Sequence, residues 1–95
     1  MLFMAICRDK VGHLEVRQEN RSDHLAWLQS SSDAIRIAGP FFGDDGETMA
    51  GSLLVVEADD LATAKSLLAN DPYAKASLFQ DVEIRPWRWV VGAPE

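Results

Sequence analysis

The chain contains one cysteine, two histidines and no long hydrophobic run. A single cysteine cannot form an internal disulfide, and Cys7 ends an apolar run, where a buried, inert thiol is favoured over a reactive one. This run is too short to span a bilayer, has no basic leader and meets Arg8 at once, unlike a secretory signal. We therefore expect a cytoplasmic protein.

Basic residues are scarce as well. Nine Lys and Arg stand against fifteen Asp and Glu, which gives a net charge of −6, and residues 41–60 hold six acids without a base. Nucleic-acid binding needs a basic surface, and docking on anionic lipids needs positive charge. The composition therefore predicts neither a nucleic-acid partner nor a membrane partner.

The motifs of metal and cofactor sites are missing from the sequence. His13 and His24 lie eleven residues apart with no cysteine nearby, and residues 43–47 lack the twelve-residue pattern of a calcium loop. The sequence has no Gly-rich phosphate loop, serine elbow or dinucleotide fingerprint. We expect a protein with no metal and no cofactor.

The sequence has no linker, repeat or low-complexity stretch, which predicts one domain over residues 1–95. Apolar periodicity predicts a helix from about Arg17 to Ser31, after a polar loop over residues 9–20. A second helix follows an N-cap at Asp59 or Asp60, and Asp71 caps a short helical turn that begins with Pro72. The predicted strands cover residues 2–8, 34–42, 53–56 and 79–91.

This order of elements is β-α-β-β-α-β, which predicts an α+β, ferredoxin-like fold with a four-stranded antiparallel sheet. Both helices of that fold cover one sheet face, so the other face should be polar. Residues 2–8 and 53–56 are nevertheless apolar on both faces, and Trp87 and Trp89 share one face of the last predicted strand. Since a second apolar face needs a cover, we expect a homodimer packed sheet to sheet.

His24 and Asp71 are the candidate catalytic residues. A histidine on a helix face is the usual general base near neutral pH, and a carboxylate that orients its ring raises its basicity. From spacing alone, a surface or helix-packing role is favoured for His24, and a purely capping role is favoured for Asp71. The two roles of Asp71 are compatible, because a capping carboxylate keeps a second oxygen for a partner.

Four further residues are candidates for substrate binding. Arg21 lies one helical turn before His24 and can act as a clamp for an anionic oxygen. Ser52 follows a glycine at a strand start, where it can bind a ligand or cap the turn. Tyr73 and Trp87 can line an apolar pocket, although packing in the core or in a dimer interface is their default role.

The residues that carry these candidates together resemble one known family. Over nearly the whole chain, the sequence is similar to the YciI-like, YCII-related proteins. The motifs that carry this similarity are, in order, Arg21-Ser-Asp-His24-Leu25 with Leu28, Gly39-Pro40, Gly51-Ser52, Asp71-Pro72-Tyr73 and Pro86-Trp87. The resemblance implies a ferredoxin-like fold that pairs as a dimeric α/β barrel. It also implies that His24 and Asp71 match the family's proposed active-site pair.

The family resemblance gives no substrate. Most members have no assigned reaction, and one branch resembles muconolactone isomerases and includes a dehydrochlorinase. Ser77 departs from the pattern, since many relatives have glycine there, and a serine is expected to narrow the pocket or change its polarity. Three hypotheses stay open: a cofactor-independent lyase or isomerase with a small-molecule substrate, a non-catalytic binding or interaction module, and a structural dimer.

Overall fold

The computed structural model describes residues 1–94, so Glu95 of the predicted domain lies outside the described residues. The elements are β1 (Leu2–Asp9), α1 (Leu14–Glu19), α2 (Arg21–Ser30), β2 (Ile35–Phe42), β3 (Met49–Glu57), α3 (Leu61–Ala69), α4 (Pro72–Lys75) and β4 (Phe79–Trp87). The strands form one sheet in the order β2-β3-β1-β4, and all neighbours are antiparallel. The predicted ferredoxin-like α+β fold is confirmed.

The core lies between the helices and one face of the sheet. Every second side chain of β1 is buried on this face, namely Phe3, Ala5 and Cys7. They pack with buried residues of β3 and α3: Leu54, Val56, Ala64 and Leu68. Burial raises the pKa of the Cys7 thiol to about 12, because a thiolate in this apolar layer would be poorly solvated. Cys7 is therefore a core residue and not a nucleophile at neutral pH.

The opposite face of the sheet is apolar at its centre and carries charges along β4. Met4 and Ile6 of β1 lie directly across from Val55 and Leu53 of β3, and Leu53 is 39% exposed. On the β4 side, Arg8 pairs with Asp81 at 2.8 Å. None of the helices covers this face, so the expectation of a second apolar face from the sequence is confirmed for the single chain.

The first predicted helix is wrong in its extent. Residues 17–31 are not one helix, because α1 ends at Glu19 and α2 begins at Arg21. The backbone of Asn20 leaves helical geometry, and its side-chain amide donates a hydrogen bond to the carbonyl oxygen of Val16 at 2.9 Å. Such side-chain bonds compete with the helical backbone pattern, so the chain turns at Asn20. Part of the predicted loop over residues 9–20 is accordingly helical.

The last predicted strand is too long. It was expected over residues 79–91, but β4 ends at Trp87. Trp87 lies opposite Leu2, the first residue of β1, so the strand that β4 pairs with ends there. Trp89 is outside the ladder, and its indole N–H donates a hydrogen bond to the carbonyl oxygen of Val91 at 2.7 Å.

The predicted caps of the later helices are confirmed. The carboxylate of Asp60 accepts a hydrogen bond from the backbone N–H of Thr63 at 2.8 Å and so caps α3. Asp71 caps α4 in the same way, with Pro72 in the first turn of that helix. Pro40 lies on the edge strand β2, as its missing N–H requires. None of the helices described in residues 1–94 is long and apolar enough to cross a membrane.

Candidate active site

His24 and Asp71 form a buried hydrogen-bonded pair, although 47 residues separate them in the sequence. His24 lies in the first half of α2, and Asp71 is the N-cap of α4. The imidazole Nδ1 is 2.7 Å from Asp71 Oδ1, and that oxygen also accepts the backbone N–H of Tyr73 at 2.9 Å. The cap of a four-residue helix therefore holds the carboxylate in place for the imidazole.

This geometry determines which nitrogen of His24 is available for chemistry. An ionised carboxylate only accepts hydrogen bonds, so the hydrogen between the two groups lies on Nδ1. In the neutral imidazole Nε2 then carries a free lone pair. Nε2 has no hydrogen-bond partner among residues 1–94, and His24 lines a pocket. In this arrangement Nε2 is able to accept a proton from a ligand.

The carboxylate of Asp71 is almost fully enclosed, with 1% of the residue exposed. Its Oδ2 atom has no hydrogen-bond partner among the described residues. A buried negative charge is costly unless it is paired, and the facing imidazole is the group that can become its counter-ion. Asp71 is therefore placed to stabilise a protonated His24.

Aromatic rings fix the plane of the imidazole. Tyr73 stacks on His24 with ring centroids 4.0 Å apart and an angle of 14° between the planes. Trp27 contacts His24 at a centroid distance of 5.9 Å. Because His24 is bonded at Nδ1 and stacked against an aromatic ring, it has little rotational freedom, as positioned proton transfer requires.

A second buried pair, Arg17 with Asp9, lies against Tyr73. The Arg17 guanidinium bonds both Asp9 oxygens, at 2.8 and 2.9 Å, and also donates to Ser52 Oγ at 2.9 Å. Its Cζ atom lies 4.6 Å from the centroid of the Tyr73 ring. Burial acts to lower the pKa of Arg17, but its bonds with Asp9 outweigh this and the pKa is raised. Arg17 is therefore a permanent cation.

Arg17 and Asp9 are not among the candidates that the sequence predicted. The spacing of residues 17, 21 and 24 matches one helix face, but Arg17 lies in α1 and the other two lie in α2. Arg17 was assigned to the beginning of a helix and was not assessed as a site residue. Asp9 was assigned to a polar loop, whereas it is the last residue of β1.

The pocket beside His24 has a volume of about 510 Å³. Four of the six candidate residues line this pocket, namely His24, Arg21, Ser52 and Tyr73. Asp71 lies behind His24. Arg21 is exposed, and no ion-pair partner for it is present among residues 1–94. Apolar residues also line this pocket, namely Leu25, Leu28, Ala38, Pro40 and Met49.

Trp87 does not line this pocket, which corrects the expectation that it shares the site. It lies at the end of β4 and lines a separate cleft with Trp89, Arg36 and Arg88. The strand register gives the reason. Trp87 lies across from Leu2 at the start of β1 and on the open face of the sheet, whereas Ser52 lies across from Cys7 near the end of β1 and on the helix-covered face. Ser77 is also outside the pocket lining. It is exposed and has a φ of 60°, a backbone conformation that explains a preference for glycine without any ligand.

Hydroxyl groups and a guanidinium supply the polar chemistry of the pocket. Burial raises the pKa of Tyr73, although the charge of Arg17 partly opposes this, so the phenol keeps its proton at neutral pH. No group of three or more His, Cys, Asp or Glu side chains within residues 1–94 is arranged to hold a metal ion. The residues present can donate hydrogen bonds to a ligand oxygen and accept a proton at one imidazole nitrogen.

Comparison with known proteins assigns the chain to a family. The profile of the YCII-related domain matches residues 1–88. The protein is 32% identical over 97 residues to Protein YciI of Escherichia coli, covering 95% of this chain and 99% of that one.

Two solved structures are also similar. One is a 5-chloro-2-hydroxyhydroquinone dehydrochlorinase from Burkholderia phenoliruptrix, in complex with 2,5-dihydroxybenzoquinone. It is 36% identical to this protein and has a TM-score of 0.83. The superposition covers 93% of this chain and 94% of that chain. A cofactor-independent oxygenase from Streptomyces nogalater has a TM-score of 0.56 at 10% identity, covering 97% of this chain and 96% of that one, and shares only the fold.

Proposed function

Since the chain belongs to the YCII-related family, we propose that it is a cofactor-independent lyase or isomerase that moves a proton on a small, oxygenated ring compound. The observation that carries this proposal is the 2.7 Å bond between His24 and Asp71 at the wall of an open pocket. It leaves one imidazole nitrogen without a hydrogen-bond partner among residues 1–94, and His24 lines a pocket of about 510 Å³, which is large enough for a small ring compound.

In the proposed reaction, His24 Nε2 removes a proton from the substrate. The positive charge that develops on the imidazole is balanced by Asp71, which keeps the hydrogen on Nδ1 throughout. Arg21 at the pocket rim attracts the anionic form of the substrate, and Ser52 contacts one of its oxygens. Proton transfer by one oriented base accelerates such reactions about 10²–10⁴-fold.

The similarity to the dehydrochlorinase suggests a reaction to test. Loss of HCl from 5-chloro-2-hydroxyhydroquinone leaves a hydroxyquinone, and it requires a base for the proton but no external oxidant. His24 can take a hydroxyl proton and return it to the chlorine-bearing carbon, which gives the keto tautomer. A second hydroxyl then loses its proton as the carbon–chlorine bonding pair leaves with chloride, and the quinone forms. The apolar wall formed by Leu25, Leu28 and Met49 provides a surface for the flat ring.

We expect the purified protein to release chloride from 5-chloro-2-hydroxyhydroquinone under anaerobic conditions, with one hydroxyquinone formed per chloride. Chloride-electrode and absorbance measurements follow the two products. Binding of 2,5-dihydroxybenzoquinone in this pocket, without turnover of the chlorinated ring or of related ring compounds, would contradict the enzyme proposal. It would favour the alternative of a small-molecule-binding module.

We further propose that the chain works as a homodimer packed through the open face of the sheet. The partner would cover the apolar centre around Met4, Ile6 and Leu53, and the charged side chains along β4 would lie at the edge of the interface. Burial of this face would also help a chain of this size, since a small domain has little core of its own.

Leu53→Glu is expected to shift the protein from dimer to monomer, because each subunit would bury an unpaired charge in the interface. We expect the affinity of the dimer to fall at least about 100-fold. Light scattering after size-exclusion chromatography measures the mass. Val11→Glu is the matched control, because Val11 is 93% exposed and lies in a loop outside this face. A wild-type chain that is monomeric at every concentration would contradict the dimer.

A further inference from the structure

Two opposite charges stand side by side on the open face of the sheet. Arg85 lies across from Met4, and Glu83 lies across from Ile6, so both project from β4 on the face that the helices leave uncovered. The Arg85 guanidinium donates to a Glu83 oxygen at 2.6 Å. Arg85 also lowers the pKa of Glu83, which is therefore a carboxylate at neutral pH.

These charges begin two rows of side chains that cross the sheet from β4 to β2. The arginine row consists of Arg85, Met4, Val55 and Ile37, and the glutamate row consists of Glu83, Ile6, Leu53 and Gly39. Each row therefore has one charge at the β4 edge and uncharged residues across the other three strands. The two rows differ in the sign of the charge and are otherwise alike.

The rows complement each other when one sheet is turned end over end. A two-fold axis between the sheets, perpendicular to the strands and midway between the rows, places each arginine row over the partner's glutamate row. Arg85 then faces Glu83 of the partner subunit, and Met4 faces Ile6 of the partner subunit. Stacked sheets lie about 10 Å apart, a distance that an arginine and a glutamate side chain span together.

Other two-fold arrangements of the same faces lose this complementarity. An axis parallel to the strands places β4 over the partner's β2, so Glu83 would lie over a glycine and Arg85 over an isoleucine. Both charges would then lose water without an opposite charge from the partner. A perpendicular axis that runs along either row would place Arg85 against the partner's Arg85, or Glu83 against the partner's Glu83. Like charges at an interface are costly.

The acidic turn between β2 and β3 favours the same arrangement. It holds Asp44, Asp45 and Glu47, and residues 41–60 contain no base. A parallel axis would place both acidic turns at one end of the dimer, where they repel each other. The perpendicular axis places them at opposite ends. Each turn then lies at the end of the dimer where Arg36 and Arg88 of the partner subunit are found.

We infer that two copies of the chain pack end over end, with a two-fold axis perpendicular to the strands, and that Glu83 and Arg85 form two ion pairs between the subunits that select this orientation. The inference rests on the proposed homodimer and goes beyond it, because the apolar centre alone fits several orientations. The ion pairs determine which way the partner lies.

Two variants with opposite charges test this orientation. Glu83→Arg makes both charges of the pair positive, and Arg85→Glu makes both negative. Both side chains are partly exposed, at 38% and 68%, so the variants should fold, as circular dichroism would show. In the inferred orientation each variant faces like charges in its own homodimer, whereas a heterodimer pairs opposite charges twice.

The two variants are mixed at equal concentration until their subunits have exchanged, and native mass spectrometry separates the dimers by mass. We expect the ratio of heterodimer to homodimers to exceed the statistical value at least about tenfold, which corresponds to about 1.4 kcal/mol. Wild-type protein mixed with ¹⁵N-labelled wild-type protein gives the statistical value and shows that exchange is complete.

Arg36→Glu and Glu57→Arg are the matched control pair. Arg36 and Glu57 form an ion pair at an outer position of the same chain, and their substitutions change the charge by the same amount. In the inferred orientation they face no charged row of the partner, so their mixture should stay close to the statistical ratio. This pair measures the contribution of net charge alone.

The outcomes separate the orientation from the homodimer on which it rests. A ratio for the Glu83 and Arg85 variants that equals that of the control pair overturns the orientation, while a dimeric wild type keeps the proposed homodimer. A wild-type chain that is monomeric at every concentration overturns both. A heterodimer preference far above that of the control pair supports the orientation, whatever turnover the His24 variants have.

Discussion

Replacement of His24 by glutamine is expected to reduce turnover about 10²–10⁴-fold, the contribution of one positioned general base. Glutamine keeps a donor for Asp71 and a similar length, so the variant should fold and retain its melting temperature within a few degrees. Its amide cannot accept a proton. Steady-state kinetics on a substrate that the native protein converts, together with thermal unfolding, measures both quantities.

His13→Gln is the matched control for this experiment. His13 is the other histidine of the chain, and its Nδ1 contacts the carbonyl oxygen of Val11 at 3.0 Å, outside the pocket lining. We expect this variant to keep wild-type turnover. Undiminished activity in His24→Gln would refute proton transfer by His24. A large loss of stability in His24→Gln, with unchanged activity per folded molecule, would assign the His24–Asp71 pair to the structural hypothesis.

The second large effect is expected for Asp71→Asn, with a fall in turnover of about 10²–10³-fold. Asparagine is as good an N-cap as aspartate, so α4 should persist. The amide oxygen can keep both hydrogen bonds of the present Oδ1, but the neutral amide cannot balance the charge of a protonated His24. The free energy of unfolding should fall by no more than about 1–3 kcal/mol, the cost of an amide N–H left without an acceptor near the present Oδ2 position.

Asp60→Asn separates capping from catalysis. Asp60 caps α3 by the same type of hydrogen bond, but it is exposed and lies outside the pocket lining. Turnover in Asp60→Asn should equal that of the wild type. If Asp71→Asn and Asp60→Asn have the same small effects on stability and none on turnover, Asp71 is only a cap. Urea unfolding and steady-state kinetics on both variants decide this.

Local signals in the sequence were sufficient for most of the fold. The Asp71-Pro72 dipeptide identified a cap, and the structure shows that the capping oxygen is the one that holds His24. The sequence offered Asp59 or Asp60 as the cap of α3, and the structure shows that it is Asp60. Such features depend on neighbouring residues alone, so they can be read without knowledge of the tertiary structure.

The predictions that were wrong or missing concern features that depend on contacts between distant segments. The role of Arg17 depends on the break at Asn20, on the end of β1 at Asp9, and on Ser52 from a third element. The end of β4 at Trp87 depends on where β1 begins, which apolar periodicity in β4 alone cannot show. The family resemblance therefore implied the His24–Asp71 pair, whereas the residues that support the pocket required the structure.

The most direct test of the central claim is the protonation pattern of the His24 ring, measured by ¹⁵N–¹H NMR at a pH where the imidazole is neutral. His24→Gln assigns the signals, because only those of His24 disappear in that variant. We predict a hydrogen on Nδ1 and a bare Nε2, with the Nε2 resonance shifting when 2,5-dihydroxybenzoquinone binds. A hydrogen on Nε2 in the neutral ring, or an Nε2 resonance that does not respond to the ligand, would contradict the role of His24 as the base that faces the substrate.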